Sequence, residues 1–254
     1  MVGGIILFRV LTTRFDLRFA ENKTVMIVLV VIVMLPQAPM KHVKDTIFAL
    51  TEVKDELVRL QELQERNDWD VTNVDSQYDT YVLVIGESAR KDYHGAYGYS
   101  MANTPFMSTT KGVIVDGLTS GGTNTVASLR LMLTESDKEK WIPRYEKTFI
   151  DIANSAQINT IWISNQGFFG TYDTPITHIA QKSQKRKFIK AGDYASKNTD
   201  DLILLPEFKR FLNKEVKGPQ LIVLHLYGSH PNVCDRLHGF TPNYTVDNQY
   251  YRDI

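Results

Sequence analysis

Three short stretches of this sequence gather side chains able to handle a phosphoryl group. The first is Gly86-Glu87-Ser88-Ala89-Arg90. A glycine lets the chain turn, and a carboxylate follows, which is a hard ligand for a divalent metal. The same acid would serve equally well in the first turn of a following helix, against the partial positive charge there. The second is Thr119-Ser-Gly-Gly-Thr-Asn-Thr125, leading straight into the apolar residues 126–133. Glycines permit close backbone approach, and a helix start offers free N–H groups to a phosphate. A hydroxyl on that first turn becomes a nucleophile when a metal lowers its pKa. Plain N-capping by Ser or Thr is the competing explanation. The third is His225-Leu-Tyr-Gly-Ser-His230, two imidazoles able to bind metal or a phosphate oxygen, or to shuttle a proton. An acid, a hydroxyl at a helix start and a histidine pair together suggest metal-assisted phosphoryl transfer through a covalent Thr or Ser intermediate.

Such residues need a scaffold, and the apolar runs supply one. Tyr81-Val-Leu-Val-Ile-Gly86 is short, continuous and β-branched, the pattern of a strand buried on both faces. Residues 113–115, 160–163 and 221–225 are further expected strands, and 146–156 and 202–216 have helical spacing. Strand and helix in alternation predict an α/β fold, a parallel sheet covered by helices. Ligands bind such sheets beyond the carboxyl ends of the strands, where the three stretches lie. The basic run Lys182, Lys185, Arg186, Lys187 and Lys190 is expected to be a solvated loop, with anionic lipid headgroups as the alternative partner.

Composition narrows the class. The 254 residues carry 29 Lys+Arg against 29 Asp+Glu, so zero net charge gives no reason to expect nucleic acid. With 43% hydrophobic and 23% charged residues the chain is neither disordered, collagen-like nor multi-spanning throughout. Its one cysteine, Cys234, excludes an internal disulfide and a cysteine-cluster zinc site.

The N-terminal part reads differently. Residues 25–35 are an unbroken apolar run of 11, and uncharged flanks extend it over residues 24–40, 17 in all, the lower edge of a membrane span. Arg9, Arg14, Arg18 and Lys23 precede it, which keeps the N-terminus cytoplasmic and puts the rest outside. A signal peptide and a buried β-rich segment are the other readings. Pro36 and Pro39 are expected to end this helix. Residues 41–66 then form an amphipathic helix with Val43, Ile47, Leu50, Val53, Leu57, Leu60 and Leu63 on one stripe. The organisation expected is 1–40 with the span at 24–40, 41–76 as amphipathic helix and linker, and 77–254 as a partial catalytic domain.

Together the three stretches resemble the lipid A phosphoethanolamine transferases of the alkaline phosphatase/sulfatase superfamily. Val84-Ile-Gly-Glu-Ser-Ala-Arg90, with Tyr97-Gly-Tyr99 and Thr104-Pro105, is similar to the family's opening motif. Gly122-Thr-Asn-Thr125 with Ser128 resembles the nucleophile segment, and residues 225–230 the H-x-x-G-S-H segment. The resemblance implies an alkaline phosphatase-like (sulfatase) fold, a mainly parallel sheet flanked by helices. It implies an enzyme anchored in the bacterial inner membrane with a periplasmic catalytic domain. Its reaction moves phosphoethanolamine from phosphatidylethanolamine to lipid A or another envelope glycan through a zinc-activated threonine. By position, Glu87 matches a zinc (Zn2+) ligand and Thr125 the nucleophile, itself a zinc ligand. His230 matches a histidine for substrate phosphate or a second metal, with His225 the weaker match. Asn165, in Trp162–Gln166, falls where the family has a substrate-side Trp-x-x-Asn-Asn, so a headgroup contact is expected, with a surface loop as the alternative.

The departures shape the expectation. Gly121 stands where disulfide-bearing members have Cys, and Gly228-Ser-His-Pro-Asn232 replaces Gly-Ser-His-Gly-Pro. The family's Asp-His-Gly, source of two further zinc ligands, does not occur in the sequence. Residues 246–250 resemble the helix that precedes it. The chain is therefore expected to be truncated at both ends and to bind zinc weakly. Another phosphotransferase or hydrolase of the superfamily, and an inactive truncated fragment or non-catalytic membrane-anchored protein, remain the alternatives.

Overall fold

The computed structural model describes residues 23, 24, 27, 38–63, 65–71, 74–137, 139–167, 174–190 and 199–230. The chain divides into two units, Met1–Arg59 and Leu60–Ile254. Most of the expected span at 24–40, and all of residues 246–250, lie outside the described residues. Among the described residues no helix is long and apolar enough to cross a membrane.

Helix α1 (Ala38–Leu63) begins around Pro39 instead of after it. A proline costs little in a first helical turn, where its missing N–H would have no partner anyway. Val43, Ile47, Leu50 and Val53 of its apolar stripe are exposed, whereas Leu60 is buried in the core of the second unit. Past α1, residues 67–69 are fastened to that second unit. Asp68 N–H donates to Glu146 O at 2.9 Å and the Trp69 indole to Thr148 O at 2.9 Å.

The second unit runs β1 (Thr80–Ile85), α2 (Pro105–Thr109), α3 (Thr125–Met132), α4 (Phe149–Ser155), β2 (Asn159–Gly167), α5 (Thr174–Gln181), β3 (Lys185–Lys190), α6 (Leu204–Leu212) and β4 (Gln220–His225). The four strands form one parallel sheet in the order β1-β4-β2-β3. β2 and β4 are central and covered on both faces. Trp162 and Val223 point into one core with Leu129, Leu133, Ile150 and Ile179. Ile161, Ile163, Ile222 and Leu224 point into the other, against Leu204 and Phe211. Each such side chain, fully buried, contributes about 1.5–3 kcal/mol, and alternation across two covered faces makes both strands read as continuous apolar runs.

Three expectations need correcting. Among the described residues β1 is an edge strand, not one buried on both faces. Val82 and Val84 are 46% and 55% exposed while Ile85 turns inward. Residues 113–115 form no strand, and Val113 is 90% exposed. β-branched residues favour a strand only where a neighbour offers pairing and cover, and this run has neither among the described residues. The basic run is not a loop. In β3, Phe188 packs against one core and Ile189 against the other, and the Lys182 side chain is largely buried in an ion pair with Asp151 at 2.7 Å. The helices are also shorter than their spacing suggests. α4 starts at residue 149, because the Thr148 hydroxyl and the Asp151 carboxylate form a reciprocal capping box.

Candidate active site

The register sets the carboxyl ends of β1, β4 and β2 side by side, with Ile85 opposite His225 and Ser164 opposite His225. All three sequence stretches meet this end of the sheet. Glu87 lies two residues beyond β1 and outside any helix, so it is not an acid of a first helical turn, and the turn that follows is capped at Arg90. Its Oε2 accepts the Thr125 hydroxyl at 2.8 Å, and its Oε1 accepts the Ser88 hydroxyl at 2.8 Å. Thr125 is the first residue of α3. The cap before it is Asn124, whose Oδ1 accepts from Ala127 N–H at 2.9 Å, so Thr125 is relieved of capping. Gly122 makes this possible, since a Cβ there would sit 2.6 Å from the Ala127 Cβ. A hydroxyl donating to a carboxylate at a helix start has the geometry to act as a nucleophile with a proton acceptor beside it, next to N–H groups that favour an anion.

The loop after β4 closes on Glu87 from the other side. Leu226 N–H donates to Ile85 O and Ser229 N–H to Glu87 O, each at 3.0 Å. Gly228 has φ +57°, and a Cβ there would lie 2.5 Å from the Glu87 carbonyl oxygen, so only glycine fits. The loop ends at His230. Its ring stacks on Tyr227 with centroids 4.9 Å apart, and the Lys190 ammonium lies 3.5 Å from the centroid of the same Tyr227 ring. All three residues are buried.

His225 occupies a different environment. It is buried edge-on to Trp162, with centroids 5.8 Å apart, and its Nε2 has no hydrogen-bond partner among the described residues. Burial pushes its pKa down to about 4, against the opposing pull of the Asp201 charge. It is therefore neutral near pH 7. Asn165 is in no surface loop: it sits inside β2, fully buried. Its Nδ2 donates to Thr199 O at 3.0 Å and Asp201 Oδ1 at 2.8 Å, and its Oδ1 accepts the Thr199 hydroxyl at 2.7 Å.

Asp201 escaped the sequence reading. It also accepts Tyr227 N–H at 2.7 Å and Gly228 N–H at 2.8 Å. Its neighbour Asp200 caps the following turn, and an Asp-Asp pair before a helix signals no more than that.

As donors for a metal, Glu87 and Thr125 offer two oxygens already in contact. Among the described residues no group of three or more His, Cys, Asp or Glu side chains converges to hold an ion. A catalytic zinc takes three protein ligands. The pair suits part of such a site and does not complete it.

The sulfatase family profile matches residues 79–254, which contain every residue of this site. The chain belongs to the sulfatase family. Within it, the chain stands with the phosphoethanolamine transferases. It is 46% identical over 230 residues to a candidate phosphoethanolamine transferase of Haemophilus influenzae, an alignment covering 89% of this chain and 47% of that protein. It is 43% identical over 201 residues to the phosphoethanolamine transferase OpgE of Escherichia coli, covering 78% of this chain and 38% of that one. The chain thus spans less than half the length of these curated relatives. The zinc-complexed crystal structure of the C-terminal periplasmic domain of EptC from Escherichia coli shares the fold, with a TM-score of 0.59 at 23% identity. That match covers 70% of this chain and 54% of that one. The alkaline phosphatase-like α/β architecture expected from the sequence is the one observed.

Proposed function

We propose that this chain carries the nucleophile centre of a phosphoethanolamine transferase, with Thr125 as the residue transiently modified. The observation that supports it most is the hydrogen bond from Thr125 Oγ1 to Glu87 Oε2 at the start of α3. In this reading phosphatidylethanolamine is the donor. A bond forms between Thr125 Oγ1 and phosphorus, and the bond from phosphorus to the glycerol oxygen breaks. The threonine proton, drawn off on the Glu87 side, ends on that oxygen, and diacylglycerol leaves. An acceptor hydroxyl then takes the phosphoethanolamine and Thr125 regains its proton. The acceptor is lipid A or another envelope glycan.

His230, in the loop beyond β4 and stacked on Tyr227, is the histidine of this reading that meets substrate phosphate, while His225 ends β4 itself and packs edge-on to Trp162. Asn165 contributes from below, through its bonds to Asp201, and not by touching the headgroup. Glu87 and Thr125 would hold zinc, which when bound lowers the pKa of the threonine hydroxyl. Residues 24–40 anchor the chain in the inner membrane, residues 41–76 lead on from there with their last part already packed in the second unit, and the catalytic domain from residue 77 works on the periplasmic side, as the named domain of EptC does.

The test is to incubate the full chain with phosphatidylethanolamine vesicles and zinc and to map modified peptides by mass spectrometry. A phosphoethanolamine adduct on Thr125, absent from Thr125→Ala, is expected. An adduct on another residue, or one that persists in Thr125→Ala, removes Thr125 from this role.

A further inference from the structure

One carboxylate in this unit collects three N–H donors from two separate strands' ends. Asp201 Oδ1 accepts Tyr227 N–H and Asn165 Nδ2, and Oδ2 accepts Gly228 N–H. The two backbone donors are consecutive, and the second belongs to a left-handed residue. Successive N–H groups in such a turn form a concavity for an anion, and here the anion is a side chain of the protein. Asn165 is itself held at both ends of its amide by Thr199, so its N–H edge must face Asp201.

We propose that Asp201 is a positioning residue for the transfer reaction. It grips the loop at residues 226–229 from one side while the Glu87 backbone grips it from the other. The loop has little freedom between them. Gly228 touches Glu87 too closely to admit a methyl group, and Ser229 N–H is bonded to Glu87 O. A further bond, from Gln166 Nε2 to Leu226 O at 2.8 Å, ties the start of the loop to β2. Asp201 therefore acts on both working parts of the site without touching substrate. Through the loop backbone it fixes Glu87, whose carboxylate takes the Thr125 hydroxyl. Through Tyr227 it fixes the ring on which His230 is stacked. Carboxylate bonds to backbone N–H groups are charge-assisted and directional, which suits a part that must set distance.

This deepens the transferase reading and rests on it for the roles of Glu87 and Thr125. The test has two arms on the full chain, wild type against Asp201→Ala, with unfolding followed by circular dichroism to confirm a folded unit. The first arm is residue-level amide hydrogen exchange, with no substrate or metal. In Asp201→Ala the amides of Tyr227 and Gly228 lose their acceptor. The informative one is Ser229, bonded to Glu87 and not to Asp201, which is expected to exchange about tenfold faster or more. The second arm is Thr125 adduct formation, expected to slow by about tenfold or more at saturating phosphatidylethanolamine while half-saturation moves little, because a misplaced group loses rate before binding. Should the alanine variant fail to fold, Asp201→Asn carries the test. It keeps one acceptor oxygen and is expected to move the same readouts by a smaller factor. Faster exchange confined to Tyr227 and Gly228, with Ser229 unmoved and adduct formation unchanged, would make Asp201 a local staple and overturn the proposal. If the wild type forms no adduct, the transferase reading fails, and Ser229 exchange alone then decides whether Asp201 sets the loop against Glu87.

Discussion

Acid should unfold this protein through one imidazole more than any other described here. His225 is buried with Nε2 unpartnered among the described residues, and burial holds its pKa at about 4 against an ordinary 6.5. Below pH 6.5 the unfolded chain takes up a proton there that the folded chain refuses. Stability therefore falls as pH drops from 6.5 toward 4, and levels off below that. Each pH unit across the window costs about 1.4 kcal/mol, so the full loss is roughly 3 kcal/mol. Asp201 is the charged group that works against the shift, so its removal would deepen the loss. The assay is denaturant unfolding at intervals between pH 7.5 and 4 for wild type and His225→Gln. Other groups titrate in both chains, so the quantity of interest is the difference in slope. The wild type should lose about 2 kcal/mol more than the variant by pH 5. Parallel pH profiles for the two chains would refute the reasoning and show that His225 finds solvent or a counter-charge.

Other substitutions report on the frame around the site. Gly228→Ala forces a methyl group to 2.5 Å from Glu87 O at φ +57°, and should cost about 2 kcal/mol or more in thermal unfolding and abolish the Thr125 adduct. Lys182→Met leaves Asp151 buried without its cation and should cost about 3–5 kcal/mol in denaturant unfolding. Asn124→Ala removes the cap of α3 and should cost about 1 kcal/mol in the same measurement, with Asn124→Ser retaining most of it.

Much of this architecture is legible in the residues because the central strands are covered on both faces. The continuous runs of β2 and β4 announce themselves, and with them the site at their carboxyl ends. Glu87 could be picked out because it follows a glycine at a strand's carboxyl end, and Thr125 because it follows a glycine-containing loop at a helix start. What stayed hidden depends on partners far along the chain. Asp201 meets Asn165 and Tyr227 across gaps of 36 and 26 residues, and no local pattern encodes that. Lys182 reads as one more cation in a basic run, yet its ammonium bonds Arg66 O, Tyr145 O and Asp151. Residues 113–115 and β1 share the same β-branched character. Only β1 has a strand to pair with, which sequence alone does not reveal.

The strand order has a consequence for how the protein comes into being. Among the described residues β1 pairs only with β4, and the paired positions lie 140 residues apart, Thr80 with Gln220. Glu87 and Thr125 are therefore made early, and the strand and loop that hold Glu87 in place are made late. Closing so long a stretch of chain is slow, since its entropy is lost before any contact repays it. Until β4 slots between β1 and β2, β1 has no partner, and the valines of its outer face accompany two open backbone edges. A nascent chain at that stage is a hazard for misassembly, and its Glu87 still lacks the loop that holds it. The contact between Glu87 and the loop after β4 is completed only once β4 is in place.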